Sequence, residues 1–129
     1  RIAEFLHLAY SFNNAVATFE QLEPIILFLK GADQEELIDF CRKTIGRLID
    51  YDQDNQRNLI LTLKTYLDNN GNLYRTAKDL HLSISGLRYR LSKIEELSGI
   101  SLKEGSGCFK LQLAVQIYFT LQMIMKKPF

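Results

Sequence analysis

The sequence predicts an all-α protein, a helical bundle that contains a helix-turn-helix. Residues 70–100 carry this prediction, because two helical stretches are separated there by a turn of only three or four residues. Residues 56–69 place apolar side chains three and four positions apart, as one face of a helix requires. Residues 109–125 are apolar almost throughout, which is typical of a helix covered on more than one side.

The first 30 residues contain weaker patterns. Residues 2–10 fit a short amphipathic helix with four apolar side chains turned inward. The β-branched residues of the segment 16–19 favour one short extended stretch, the only exception to the all-α prediction. Residues 24–30 fit a second helix that begins at Pro24, since proline is favoured in the first helical turn.

The next segment predicts a helix that is followed by a linker. Asp33 fits the cap of a helix that runs to about Ile45, where Gly46 ends or kinks it. Residues 49–55 are polar and acidic, and we interpret them as a linker or the loose start of a helix, with solvated aspartates. A strong helix over 56–69 then precedes the central pair of helices and supports it.

The two central helices have clear start signals. The first is predicted from Leu73 to Leu80 and the second from Ile84 to Leu97. Asn72 and Ser83 precede them, and such short polar side chains accept the unpaired amide hydrogens of a first helical turn. Gly71 lets the chain reverse direction before the first helix without a steric penalty.

The second helix has an apolar and a polar face. At 100° per residue, Leu87, Leu91 and Ile94 fall on one side, which must face the core. The opposite side carries hydrogen-bond donors and positive charge, which suit base edges and phosphates in the major groove of DNA. An ordinary solvated helix of an all-α protein would show the same periodicity, so this alternative stays open.

The residues expected to contact DNA fall into three groups. The group nearest the base edges comprises Ser85, Arg88, Tyr89 and Ser92. The group that neutralises phosphates comprises Arg75, Lys78, Arg90 and Lys93. The group that places helix termini on the DNA backbone comprises Asn72, Thr76 and Ser83.

The net charge of +1 hides an asymmetry along the chain. Residues up to Asn55 contain five basic and ten acidic side chains, whereas the remainder contains eleven basic and five acidic ones. A basic C-terminal half suits a polyanionic partner. The acidic N-terminal half would repel DNA, so we expect it to face away from DNA or to face another protein.

Three collinear motifs extend this interpretation: LKTYLDNNGNLYRTAKDLHLS, LRYRLSKIEELSGISL and FKLQLAVQIY. With them, the stretch from about Leu59 to Gln122 resembles the C-terminal helix-turn-helix domain of the PucR-type bacterial transcription regulators. That family includes regulators of purine catabolism and of sugar-diacid use. The resemblance implies a fragment of a transcription regulator that binds double-stranded DNA sequence-specifically, with helix 84–97 in the major groove.

The resemblance has one departure, at the start of the second helix. Ile84 stands where the family commonly carries a cation, and Gly86 stands where it commonly carries a hydroxyl. These differences remove candidate phosphate and base contacts. The alternative function is therefore a protein-interaction or dimerisation module whose helix-turn-helix is degenerate.

The resemblance also implies an organisation for the chain. Residues 1–50 would be the remnant of a regulatory domain or a helical dimerisation subdomain, and residues 51–129 the DNA-binding domain with its apolar C-terminal helix. The first residue is Arg1 rather than Met, so we expect the chain to be part of a longer protein. We expect a cytoplasmic homodimer, with a small-molecule effector bound by a domain outside this fragment.

Other classes of function find no support in the sequence. It contains no paired carboxylates in an acid–base setting, no glycine-rich phosphate loop and no nucleophile with its base, so we predict no enzyme and no cofactor. Cys41 and Cys108 lie far apart without metal-ligand spacing, which predicts reduced packing thiols and no metal site. No apolar run approaches the ~20 residues that cross a bilayer.

Overall fold

A computed structural model describes residues 31–125, and these residues form five α-helices and no strand. The helices are α1 Gln34–Asn55, α2 Leu59–Asp68, α3 Leu73–Leu80, α4 Ile84–Ser98 and α5 Gly105–Met125. The all-α prediction is thus confirmed for this part of the chain. The predicted helices at 2–10 and 24–30, and the extended segment at 16–19, lie outside the described residues.

Helix α1 is nearly twice as long as the sequence suggested. The predictions that it ends near Ile45 and that residues 49–55 form a linker are wrong, because the helix is continuous through Gly46 to Asn55. Its buried stripe continues on both sides of the glycine, with Leu48 and Ile49 as buried as Ile45. A glycine inside a helix costs about 1 kcal/mol, whereas each buried leucine or isoleucine contributes about 1.5–3 kcal/mol.

Contacts divide the chain into two compact units, of which residues 42–115 form one. Its helices α2, α3 and α4 pack against one another. Its buried apolar core comprises Ile45, Leu48, Ile49, Leu59, Ile60, Leu63, Leu67, Ala77, Leu87, Leu91, Ile94, Leu111, Ala114 and Val115. The other described residues, 31–41 and 116–125, belong to the second unit. The predicted division of the chain after residue 50 stays a prediction.

Helix α5 begins at Gly105, one turn before the predicted start at Phe109. Residues 105–108 already belong to the helix, because Cys108 N–H donates to the carbonyl of Glu104 at 2.8 Å. Gly107 allows this early start by bringing the first turn close to the preceding loop. A Cβ atom at position 107 would lie 2.6 Å from Cγ2 of Ile100 and 3.0 Å from the carbonyl oxygen of Ser101.

The crowding at Gly107 leads to a stability prediction. We expect Gly107→Ala to lower the free energy of unfolding by about 1–3 kcal/mol, since the added methyl group overpacks the contact with Cγ2 of Ile100 and the carbonyl oxygen of Ser101. Gly105→Ala is the matched control, because a Cβ at that position meets nothing within 4 Å. Urea unfolding followed by circular dichroism measures both variants, and equal stability of the two would contradict this account of Gly107.

Candidate nucleic-acid interface

Helices α3 and α4 are joined by three residues, as predicted. Helix α3 ends because His81 adopts the left-handed conformation, with φ of 55°. The amide of Leu82 then donates to the carbonyl of Ala77 at 2.9 Å, which closes the turn. The pair has the layout of a helix-turn-helix, in which the second helix enters the major groove.

The predicted caps of α3 and α4 are both confirmed. Asn72 Oδ1 accepts a hydrogen bond from the amide of Arg75 at 3.0 Å, and Ser83 Oγ accepts one from the amide of Gly86 at 3.0 Å. Gly71 has φ of +79°, the conformation expected of a reversal before α3. The side chains of Asn72 and Ser83 therefore serve their own helices, and any role at the DNA backbone comes in addition to capping.

Helix α4 is anchored through one face and exposed on the other, as its periodicity predicted. Leu87 and Ile94 are fully buried, and Leu91 is nearly so. Ser85, Arg88, Tyr89 and Ser92 are all exposed on the outer side, which we call the outer face of α4. Tyr89 exposes 65% of its surface, so a partner can reach this face without rearranging the core.

Three of the predicted DNA contacts are exposed cations. Arg75 and Lys78 lie on α3, and Arg88 lies on α4. Among the salt bridges of the described residues none involves these three side chains. Their charges are not compensated by an ion pair, so they are available to an anionic partner.

Three other predicted DNA contacts have partners inside the protein. Thr76 is fully buried, and its hydroxyl donates to the carbonyl of Asn72 at 2.7 Å. A duplex docked on the surface would not reach it. Arg90 is half-buried and donates from Nη1 to the hydroxyl of Thr62 on α2 at 3.2 Å.

Lys93 also has partners inside the protein. Its Nζ lies 2.8 Å from Oε2 of Glu96 and 5.4 Å from the centre of the Tyr51 ring. The hydrogen bond and the charge of Glu96 raise the pKa of Lys93 above its ordinary value. Lys93 therefore stays charged, but this charge is partly neutralised by the neighbouring carboxylate.

Sequence reasoning missed the structural role of the carboxylate of Asp52. From the last turn of α1 it accepts hydrogen bonds from the amides of Leu59 at 2.8 Å and Ile60 at 3.0 Å. It thereby caps α2, whose own N-cap residue Asn58 makes no side-chain cap. Burial raises the pKa of Asp52, although the two amide bonds and the charge of Arg90 act in the opposite direction.

The expectation that the aspartates of 49–55 are all solvated is therefore wrong for Asp52. A cap seven residues before its helix has no recognisable sequence signal, because the usual cap immediately precedes the first turn. A second carboxylate with such a role is Glu95 on α4. It accepts a hydrogen bond from the amide of Leu102 at 2.8 Å and so holds the loop before α5.

Burial also determines the protonation state of the Cys41 thiol. Burial raises the pKa of the Cys41 thiol to about 12, which keeps it protonated. In the part of the chain that the structure describes, no cluster of histidine, cysteine and acidic side chains could hold a metal ion. Within the same residues, no helix is long and apolar enough to span a membrane.

Comparison with known proteins gives a consistent result. The family model described as the PucR C-terminal helix-turn-helix domain matches residues 59–117. The Purine catabolism regulatory protein of Bacillus subtilis is 36% identical over 83 residues, which is 64% of this chain and 15% of that protein. The DNA-binding transcriptional activator AdeR of the same organism is 28% identical over 74 residues, 57% of this chain and 18% of that protein.

A third relative is matched over a longer part of the chain. The Proline-responsive transcriptional activator PutR of Bacillus subtilis is 27% identical over 104 residues, which is 80% of this chain and 24% of that protein. The chain thus corresponds to less than a quarter of the length of each of these relatives. No solved structure matches it significantly.

The role of Asp52 leads to a prediction with a control in the same segment. We expect Asp52→Ala to lower the free energy of unfolding by about 1–3 kcal/mol, because two amide hydrogens lose their acceptor. Asp54→Ala should change it little, since Asp54 is exposed. Thermal unfolding of both variants tests this prediction, and a similar midpoint for the two would show that the cap does not stabilise the domain.

Proposed function

Residues 59–117 of the chain belong to the family of PucR C-terminal helix-turn-helix domains, and we propose that this domain binds double-stranded DNA sequence-specifically, with α4 in the major groove. The observation that carries the proposal is the outer face of α4. It presents Arg88 and Tyr89 to solvent, while the opposite face is held in the core by Leu87 and Ile94. A helix anchored in this way can enter a groove without losing its packing.

Base reading is assigned to the outer face of α4. The guanidinium of Arg88 can donate two parallel hydrogen bonds to O6 and N7 of a guanine, the commonest specific contact in the major groove. The hydroxyls of Ser85, Tyr89 and Ser92 can donate to or accept from neighbouring base edges. Ser85 lies in the first turn of α4, where a recognition helix usually approaches the bases.

Phosphate contacts are assigned to Arg75 and Lys78, which are exposed and outside the ion pairs of the described residues. Arg90 and Lys93 contribute differently from the initial expectation. Arg90 holds α4 to α2 through Thr62, so it chiefly positions the helix. Lys93 is paired with Glu96 of the same helix, so its charge is less available to a phosphate. Asn72 and Ser83 orient the amide groups of the two helix starts.

So few phosphate contacts bind weakly at physiological salt, since each contributes to affinity by releasing counterions. We propose that the protein acts as a homodimer that reads two half-sites about one helical turn apart. In this proposal the protein is a cytoplasmic bacterial transcription regulator. A small-molecule effector binds outside this chain, in the part that relatives such as the Proline-responsive activator PutR contain in addition.

The alternative, a protein-interaction module, is favoured by two exposed aromatic rings. Tyr74 on α3 and Tyr89 on α4 expose 78% and 65% of their surfaces. The uncompensated charges of Arg75, Lys78 and Arg88 favour DNA instead, because a cluster of unpaired positive charge attracts a polyanion.

Arg88 gives the test of the proposed function. A preferred duplex is first selected from a random-sequence pool with the 129-residue chain, and a scrambled duplex of the same composition serves as reference. We expect Arg88→Ala to weaken binding of the selected duplex by about 1–3 kcal/mol and to reduce the preference over the scrambled one. Fluorescence anisotropy across a salt series measures both affinities.

Lys78→Ala is the matched control for a phosphate contact, and it should weaken both duplexes by the same factor. If Arg88→Ala leaves the preference for the selected duplex unchanged, α4 is not the reading helix. If the wild-type chain binds neither duplex at low salt while it still self-associates in a sedimentation experiment, the interaction module is the correct function.

A further inference from the structure

A groove of about 200 Å³ runs along one flank of α4, beside the outer face. On the side of α4 it is lined by Gly86, Tyr89, Arg90 and Lys93, which are spaced as one stripe of a helix. Its opposite side comes from the end of α1 and the loop before α2. The lining residues there and in the turn before α4 are Tyr51, Arg57, Leu59 and Leu82.

The charged residues that line this groove are all basic. Three of its lining residues are cations, namely Arg57, Arg90 and Lys93, and none is acidic. Two phenol hydroxyls, from Tyr51 and Tyr89, add hydrogen-bond donors. A groove with this lining attracts an anion of small size.

Of the three cations, Arg57 is the one that can bind a ligand without giving up a partner. Arg90 donates to Thr62, and Lys93 is paired with Glu96. Arg57 is exposed, and within residues 31–125 its side chain forms no hydrogen bond or ion pair. Its guanidinium can therefore form two parallel hydrogen bonds to a phosphate, the geometry for which arginine is best suited.

Gly86 keeps the α4 side of the groove open. A Cβ atom at this position would lie 3.0 Å from Oγ of Ser83, and no other atom outside its local backbone lies within 4 Å. The bare backbone lets a ligand approach the first turn of α4 closely. Gly86 has no side chain to read a base, but it leaves space in the groove for a ligand.

We propose that this groove binds one phosphate of the DNA backbone, with Arg57 as its principal ligand and Tyr51 beside it. The inference rests on the proposed function, because it requires α4 to lie in the major groove. That groove is about 12 Å wide and a helix with its side chains nearly fills it, so each flank of the helix lies next to a sugar–phosphate wall. The stripe of α4 that lines the cavity is one such flank.

The proposal extends the interface beyond the helix-turn-helix. Arg57 and Tyr51 precede the family match at 59–117 and belong to neither α3 nor α4. They are positioned by the corner between α1 and α2, which Asp52 holds through the amides of Leu59 and Ile60. The long helix α1 thereby contributes to DNA binding.

The salt dependence of binding tests the inference. We expect Arg57→Gln to weaken the selected and the scrambled duplex equally, by roughly 3- to 10-fold near physiological salt. The slope of log affinity against log salt concentration should fall in magnitude by about 1, as for the loss of one phosphate contact. Lys103→Gln is the control, because Lys103 is exposed and carries the same charge but does not line the groove.

Two outcomes would overturn the inference while the proposed function stands. The first is that Arg57→Gln behaves like Lys103→Gln although the wild-type chain prefers the selected duplex. The second concerns a soluble anion as the true ligand. In that case the amide NMR signal of Gly86 would shift saturably with millimolar inorganic phosphate, and Arg57→Gln would abolish this shift. The slope of log DNA affinity against log salt concentration would be the same for Arg57→Gln as for the wild-type chain. Failure of the wild-type chain to bind any duplex would instead reject the proposed function itself.

Discussion

The anchoring of α4 through its inner face is the constraint on which the 42–115 unit depends. Leu87 and Ile94 are fully buried where α4 packs against α2 and α3, and burial of each contributes about 1.5–3 kcal/mol. Because a helix repeats every 3.6 residues, burying these positions commits Ser85, Arg88, Tyr89 and Ser92 to solvent. The same contacts that stabilise the unit therefore select the side chains that a partner meets.

A small set of polar contacts supplements this apolar anchor. Asp52 caps α2 from the end of α1, and Arg90 of α4 donates to Thr62 in the second turn of α2. Thr62 is itself buried, and its hydroxyl donates to the carbonyl of Asn58 at 2.6 Å. These contacts join α1, α2 and α4 near the start of α2. The buried polar groups among them are hydrogen-bonded, which avoids the desolvation penalty of an unpaired group.

These contacts also divide the cations of the basic half into two classes. Arg90 and Lys93 have partners within the protein, and the hydrogen bond from Arg90 to Thr62 joins α4 to α2. Arg57, Arg75, Lys78 and Arg88 are exposed and lie outside the ion pairs of the described residues. The net charge of the sequence does not distinguish the classes, yet only the second can release counterions from DNA at no cost in internal contacts.

The sequence by itself determined the elements whose signals are local. Interactions within four residues along the chain set the bounds of α3 and α4, the turn between these helices, their caps Asn72 and Ser83, and the faces of α4. Only the tertiary structure decided the continuation of α1 through Gly46, the early start of α5, the cap by Asp52 and the partner of Arg90. Each of these depends on groups that are distant in sequence or on the depth of burial, which periodicity alone does not encode. For the same reason Thr76 could be assigned to DNA from the sequence, although packing places it in the core.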